Sequence, residues 1–354
     1  MTVASGPQRR AVLAALGAAL LFGAGTPLAK LILGRADPWM VAGLLYAGSG
    51  VGLLAYRMAT RSARPKLTRA EGGWLAAAIA TGGVVGPILL MYGLAGMPAA
   101  GASLLLNAEA VFTALIAWFA FRENFDRRIA LGMALIVAGA AAIAWQGDLD
   151  FGALAPSLAV LGACLAWAVD NNLTRKVALA DATFVSMSKG LAAGGVNVAL
   201  AFLVTRAEWP ALPVIAATMA LGFASYGVSL TLFVLALRGL GTARTGAYFS
   251  VAPFAGAALA IALLGEPVTA NLLAGACLMA AGVWLHLAER HEHTHTHETM
   301  VHTHEHEHDE HHRHAHGPSD PAGARHSHEH AHGPLTHSHV HYPDAHHRHG
   351  HGAG

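Results

Sequence analysis

The chain has 354 residues, 54% of them hydrophobic and 12% charged, with a formal net charge of +1. A soluble domain carries about 25% charged residues, so this composition excludes a water-soluble globular chain and argues against nucleic acid as a partner. The two cysteines, Cys164 and Cys277, fall in separate apolar runs, which speaks against a disulfide framework or a thiolate metal site.

A helix needs about 20 mainly apolar residues to cross a bilayer. In chain order, ten segments qualify: 11–33, 38–59, 73–95, 98–121, 129–146, 152–174, 182–204, 212–237, 243–264 and 268–288. The first follows Arg9 and Arg10 but is too long for a signal-peptide core, so it reads as a membrane helix. The breaks hold charged and turn-forming stretches such as TRSARPKLTRAEGG, FRENFDRR and TRAEWPALP. Barrel strands are excluded by the length of the runs and their lack of alternation. With the N-terminus inside, fourteen lysines and arginines fall on the cytoplasmic side and three (Lys30, Arg35 and Arg206) opposite. This positive-inside bias predicts an inner-membrane protein with both termini cytoplasmic.

The second half echoes the first. The stretch from Gly96 aligns without gaps at a shift of 143, pairing Gly96 with Gly239, Glu123 with Glu266, Gly132 with Gly275 and Gly139 with Gly282. Near the start of each half a shift of 145 pairs Phe22 with Trp167 and Lys30 with Arg175. Each copy holds five spans, an odd number, so the second enters the membrane from the opposite side. The predicted fold is an all-α integral membrane protein of ten transmembrane helices in two inverted five-helix repeats, 1–146 and 147–290. Inverted halves can exchange conformations around a central site, the architecture of many secondary transporters.

Specific residues carry a resemblance. VAPFAGAALAIALLGEPVTANLLAGACLMAAGVW resembles the end of an EamA-type repeat of the drug/metabolite transporter superfamily. LNAEAVFTALIAWFAFREN looks like its first-half counterpart, and FGAGTPLAK resembles the family's first helix. The resemblance covers about residues 11–288 and implies export or exchange of small metabolites through two five-helix repeats. The halves depart from each other where Pro253 is Ala110, Gly265–Glu266 is Arg122–Glu123, and Glu109 stands against Ala252.

Ionisable groups inside spans are costly and mark sites or partners. Glu109, with Asn107 nearby, is the candidate for binding a proton or a cationic substrate group; the alternative is a protonated side chain bonded to a neighbouring helix. Asp170, Asn171 and Asn172 cluster in the sixth span, and Lys189 lies in the seventh. Asp170 and Lys189 are candidates for a neutralising pair. Phe22, Trp167, Tyr226 and Tyr248 could wall a pocket or simply pack. Lys30 can snorkel to the interface. Gly48–Gly52, Gly82–Gly86 and Gly190–Gly194 have the small-residue spacing that lets helices approach closely, and Pro87 and Pro253 can bend their spans.

Residues 291–354 hold 23 histidines among Glu, Asp, Thr, Gly and Pro. No packed core is available there, so the segment is predicted to be a disordered cytoplasmic tail. Imidazole suits zinc, nickel, cobalt and copper(II). The candidate ligands are His291, His293, His295, His297, His302, His304, His306, His308, His311, His312, His314, His316, His326, His328, His330 and His332. Three His-Glu-x-x-His windows follow from alternation in low-complexity sequence rather than from a protease helix. No nucleophile or cofactor loop is visible, so an enzyme is not predicted and transport needs no cofactor. The leading expectation is a secondary carrier of small metabolites, with protons as a candidate coupling ion. Two alternatives stay open: a carrier of zinc, nickel or cobalt fed by the tail, and a metal-sensing membrane protein without transport.

Overall fold

The computed structural model describes residues 6–62, 65, 67–121, 127–145, 151–174, 177, 181–240, 242–287, 292–297, 300–306, 326–332 and 335–340. They fall in two units, Met1–Ala288 and Glu289–Gly354.

The first unit is helical. It opens with α1 (Gly6–Leu33) and α2 (Pro38–Ala59). Asp37 starts α2 by accepting the amides of Trp39 and Met40, with Pro38 pre-set for the first turn. Thr68 and Glu71 form a capping box at α3 (Arg69–Ala78). That helix widens into a π segment, Ile79–Val85, and resumes as α4 (Gly86–Gly96) with Pro87 in its first turn. The fourth span is broken into α5 (Ala99–Leu105) and α6 (Ala108–Phe121). Next come α7 (Arg127–Ala144), α8 (Phe151–Thr174) and α9 (Ala182–Leu200), the last running into a π segment at Ala201–Thr205. The stretch that follows again has a π segment, Phe223–Val228, between α10 (Leu212–Gly222) and α11 (Ser229–Leu240). The next stretch is broken into α12 (Thr242–Phe249) and α13 (Ala252–Leu264), with Pro253 just after the break. α13 stops at Gly265, whose left-handed φ of 65° suits glycine. α14 (Ala270–Leu287) closes the unit.

Among the described residues, eight helical stretches are long and apolar enough to span a bilayer. The other two expected segments are shorter apolar helices, Arg128–Ala144 and Ala270–Leu285. These two pack on each other through glycine. A side chain at Gly139 would meet the carbonyl of Gly275, and one at Gly282 the carbonyl of Gly132. α7 and α14 are therefore antiparallel and in near-backbone contact. Their core residues Ile136 and Met279 are sealed among Leu90, Met91, Leu94, Leu104, Leu105 and Val160. The glycine pairs on α2 and α9 serve the same purpose. Gly48 sits against the backbone of Met219, and Gly190 against Gly50 and Tyr46. Large apolar side chains such as Phe119, Leu203, Leu212 and Trp284 face outward, a surface suited to lipid rather than water.

The second unit, Glu289–Gly354, is described over four short segments. Its described residues form four strands: β1 (Glu292–His297), β2 (Met300–His306), β3 (His326–His332) and β4 (Leu335–Val340). β1 pairs antiparallel with β4, and β2 with β3. Backbone pairing needs no core, and alternating residues with Thr and Val tolerate extended chain. His291, His308, His311, His312, His314 and His316 lie outside the described residues.

Candidate functional site

The site grows out of the π segment in the third span. A π turn breaks the regular i, i+4 hydrogen-bond register, and side chains can take up the disturbed carbonyls. Here Tyr46 Oη and Trp167 Nε1 both donate to the Gly82 carbonyl, each at 2.8 Å. Asn197 Nδ2 donates to the Gly83 carbonyl at 2.9 Å. Three helices, α2, α8 and α9, are thereby pinned to one irregular turn.

The glycines of that turn also make room. A side chain at Gly82 would collide with the Asp170 carboxylate, and one at Gly86 with the Trp167 ring. Asp170, 5% exposed, accepts from Lys189 Nζ on both oxygens at 2.6 and 2.5 Å, and from Thr174 Oγ1 at 2.9 Å. This ion pair links α8 to α9 in a setting where a lone charge would be expensive. Breaking it leaves a charge with nothing to offset its lost hydration.

Glu109 lies at the start of α6, just beyond the α5–α6 break. Its Oε1 accepts from Asn171 Nδ2 at 2.8 Å, and Asn171 also approaches Thr113 Oγ1 at 3.4 Å. Its second oxygen takes no hydrogen bond among the described residues. Glu109 is within electrostatic reach of Asp170 and Lys189, but Lys189 is committed to Asp170. Among the described residues, the site therefore holds two carboxylates and one ammonium.

Aromatic rings line the same region. Tyr226, within the Phe223–Val228 π segment, packs against Tyr46 at 5.6 Å and Phe22 at 6.0 Å between ring centroids. Phe22 also meets Phe249, which meets Phe233. Phe22 and Tyr226 are thus in ring contact and Trp167 is joined to them through Tyr46 on the shared Gly82 carbonyl, whereas Tyr248 has no ring contact among the described residues and its neighbour Phe249 meets Phe22. Asn107 turns away from Glu109. Its amide donates to the Leu104 carbonyl at 2.8 Å and faces Met279, holding the helix break. Asn172 similarly bonds its own helix at Ala168.

Lys30 does not reach outward as a snorkelling residue. Its Nζ donates to the carbonyls of Leu94 and Met97 at 2.5 and 2.9 Å, at the end of α4. Two residues later Glu266 accepts the amides of Ala99 and Ala100 at 2.6 and 2.7 Å, at the start of α5. The α4–α5 corner is therefore gripped from α1 and from the α13–α14 connection. Sequence reasoning passed over Tyr46, Asn197 and this use of Glu266. The signals were a tyrosine and an asparagine inside apolar spans, and the recurrence of Glu123 and Glu266 at repeat-equivalent positions.

Outside the spans, Asp181 caps α9. Burial opposes its ionisation, but donation from Thr183 and the Phe184 amide, with the Arg57 guanidinium at 2.7 Å, outweighs that and holds the carboxyl below its ordinary value.

Residues 9–145 match the EamA-like transporter family. An uncharacterized transporter of Methanothermobacter thermautotrophicus is 29% identical over 57% of this chain and 60% of its own length. A probable amino-acid metabolite efflux pump of Salmonella typhimurium is 28% identical over 54% of this chain and 68% of its own. A protein crystal structure shares the fold at a TM-score of 0.59 and 18% identity, covering 78% of this chain and 95% of that one. The chain is thus similar to the EamA-like transporters of the drug/metabolite transporter superfamily, through a family match that falls in its first half and relatives that match more than half of it.

Proposed function

We propose that the chain is a secondary-active exporter of small metabolites that works by alternating access. Ten helices cross the inner membrane as two inverted repeats, with both termini in the cytoplasm. The observation that carries this reading is the α7–α14 contact. Sequence pairs Gly132 with Gly275 and Gly139 with Gly282. The spatial contacts, Gly139 on Gly275 and Gly132 on Gly282, are exchanged by that same pairing. Such an exchange between antiparallel helices is what a twofold axis in the membrane plane produces. The π segments at Ile79–Val85 and Phe223–Val228, and the breaks before Ala108 and Ala252, recur at nearly the same offset and support it. Irregular backbone at membrane depth is tolerated where protein or a cavity surrounds it.

Glu109, with Asn171 and the Phe22–Tyr46–Trp167–Tyr226 aromatic group, is the proposed substrate and coupling site. Its free oxygen can take a proton or an ammonium group. The amino-acid metabolite pump among the relatives makes amino acids and their amines the first cargoes to try. The tail is the proposed site for zinc, nickel, cobalt or copper(II).

The test is counterflow in proteoliposomes with a panel of radiolabelled amino acids and amines, with and without an imposed pH gradient. Movement of one of them, accelerated by the gradient and reduced at least tenfold in rate by Glu109→Gln, supports the reading. Movement of zinc, nickel or cobalt alone would replace it with a metal carrier. No movement of any solute, with metal still bound, would leave a membrane sensor.

A further inference from the structure

The tail is itself duplicated. Residues 291–317 align without gaps to 326–352 at a shift of 35, with 14 identities in 27 positions. Alternation of histidine alone does not produce this match. Both copies interrupt the alternation at the same place, between His297 and His302 and between His332 and His337. Both also end on the same pattern, Asp309-x-His-His-Arg-His-x-His-Gly317 and Asp344-x-His-His-Arg-His-x-His-Gly352.

The backbone pairing obeys this duplication. The shift carries β1 onto β3 and β2 onto β4. β1 pairs with β4, and β3 with β2, so each ladder joins the first strand of one copy to the second strand of the other. The registers agree as well. Glu292 stands opposite Val340 in one ladder. Moving each residue to its repeat equivalent gives Ser327 opposite Glu305, the pairing found in the other. The repeat equivalence thus interchanges the pairings of the two ladders.

This places histidines in two equivalent groups of four, with one further opposed pair, His306 and His326, beside the second. In the first, His293 and His295 are opposite His339 and His337. In the second, His328 and His330 are opposite His304 and His302. Residues two apart on a strand share a face, and directly opposed residues have Cβ atoms about 4.5–5.5 Å apart. Each quartet therefore occupies four adjoining positions on one face of a two-stranded ribbon. An isolated two-stranded ribbon is marginal in water, and a ligand that joined its strands would stabilise the pairing.

We propose that each quartet is one binding site for a divalent transition-metal ion of the zinc–nickel class, built half from each tail copy. This deepens the metal-binding role given to the tail above and rests on it. Neither copy is complete alone, so a metal ion ties the two copies together.

The experiment uses full-length protein in nanodiscs, titrated with zinc and with nickel against a chromophoric chelator, and compares quadruple variants with equal histidine loss. His302→Ala, His304→Ala, His328→Ala, His330→Ala removes both halves of one proposed site, so one tight site should disappear. His302→Ala, His304→Ala, His293→Ala, His295→Ala removes half of each, so two should disappear. The reverse order would mean that each copy binds on its own and would overturn the proposal. Equal losses in the two variants would mean binding by histidine number alone, which also overturns it. If the unaltered protein binds neither metal tightly, the broader metal reading fails with it. An unchanged melting temperature of the helical body confirms that the variants act within the tail.

Discussion

The helical body and the histidine tail are both doubled in sequence, yet doubling serves them differently. In the body, the repeat-paired glycines of α7 and α14 close crosswise, Gly139 on Gly275 and Gly132 on Gly282, and the buried contacts need no ligand. Around the proposed site the halves have diverged, with Glu109 standing where the second copy has Ala252. In the tail, the copies keep their histidines and give up any apolar core. Burial of apolar surface can order the first region alone, while the second has only backbone pairing and whatever its imidazoles bind. A chain can thus repeat itself to build a scaffold or to build a ligand set, and the presence of a core separates the two.

The sharpest way to break this contrast is inside the body. Asp170→Asn strands the Lys189 ammonium, and loss of one partner from a buried pair costs about 3–5 kcal/mol. The melting temperature in detergent should fall strongly, and Asp170→Asn with Lys189→Met should recover much of the loss. A small effect from the single change would show that water reaches the pair freely. Next in size, Gly222→Val forces a side chain into the Leu45 carbonyl where α10 crosses α2. Overpacking of this kind costs about 1–3 kcal/mol, read as a lower melting point and as aggregation on size-exclusion chromatography.

A smaller effect belongs to the cap on α9. Asp181 is held ionised by Thr183, the Phe184 amide and Arg57, so its folded value lies below its unfolded one. Its contribution is full above the unfolded carboxylate value and is lost as pH falls through the folded one. Removing the cap by Asp181→Ala should cost about 1 kcal/mol at neutral pH, with the gap between variant and parent narrowing in acid. The smallest effect tests the tail. Truncation after Arg290 should leave the melting temperature of the body within about 1 °C, because the body has its own core. In the intact protein, zinc should raise strand content by circular dichroism without moving that temperature. A large shift on truncation would show that the two regions stabilise one another.

The amino-acid sequence by itself determined where apolar runs begin and end, the recurrence at 143–145, the onset of the histidine segment, and the residue types capable of site chemistry. Those properties are one-dimensional: span length follows from bilayer thickness, and a repeat is visible as spacing. Only the tertiary structure decided which groups meet. It turned Asn107 onto Leu104 and kept Asn171 for Glu109. It sent Lys30 to the α4 carbonyls, widened three helices into π turns, and set Phe249 rather than Tyr248 beside Phe22. The reason is that a polar group removed from water must find a partner, and several lie within reach along any helix. Which one it takes depends on how closely the neighbouring helices approach, and that distance is set by packing across the whole bundle.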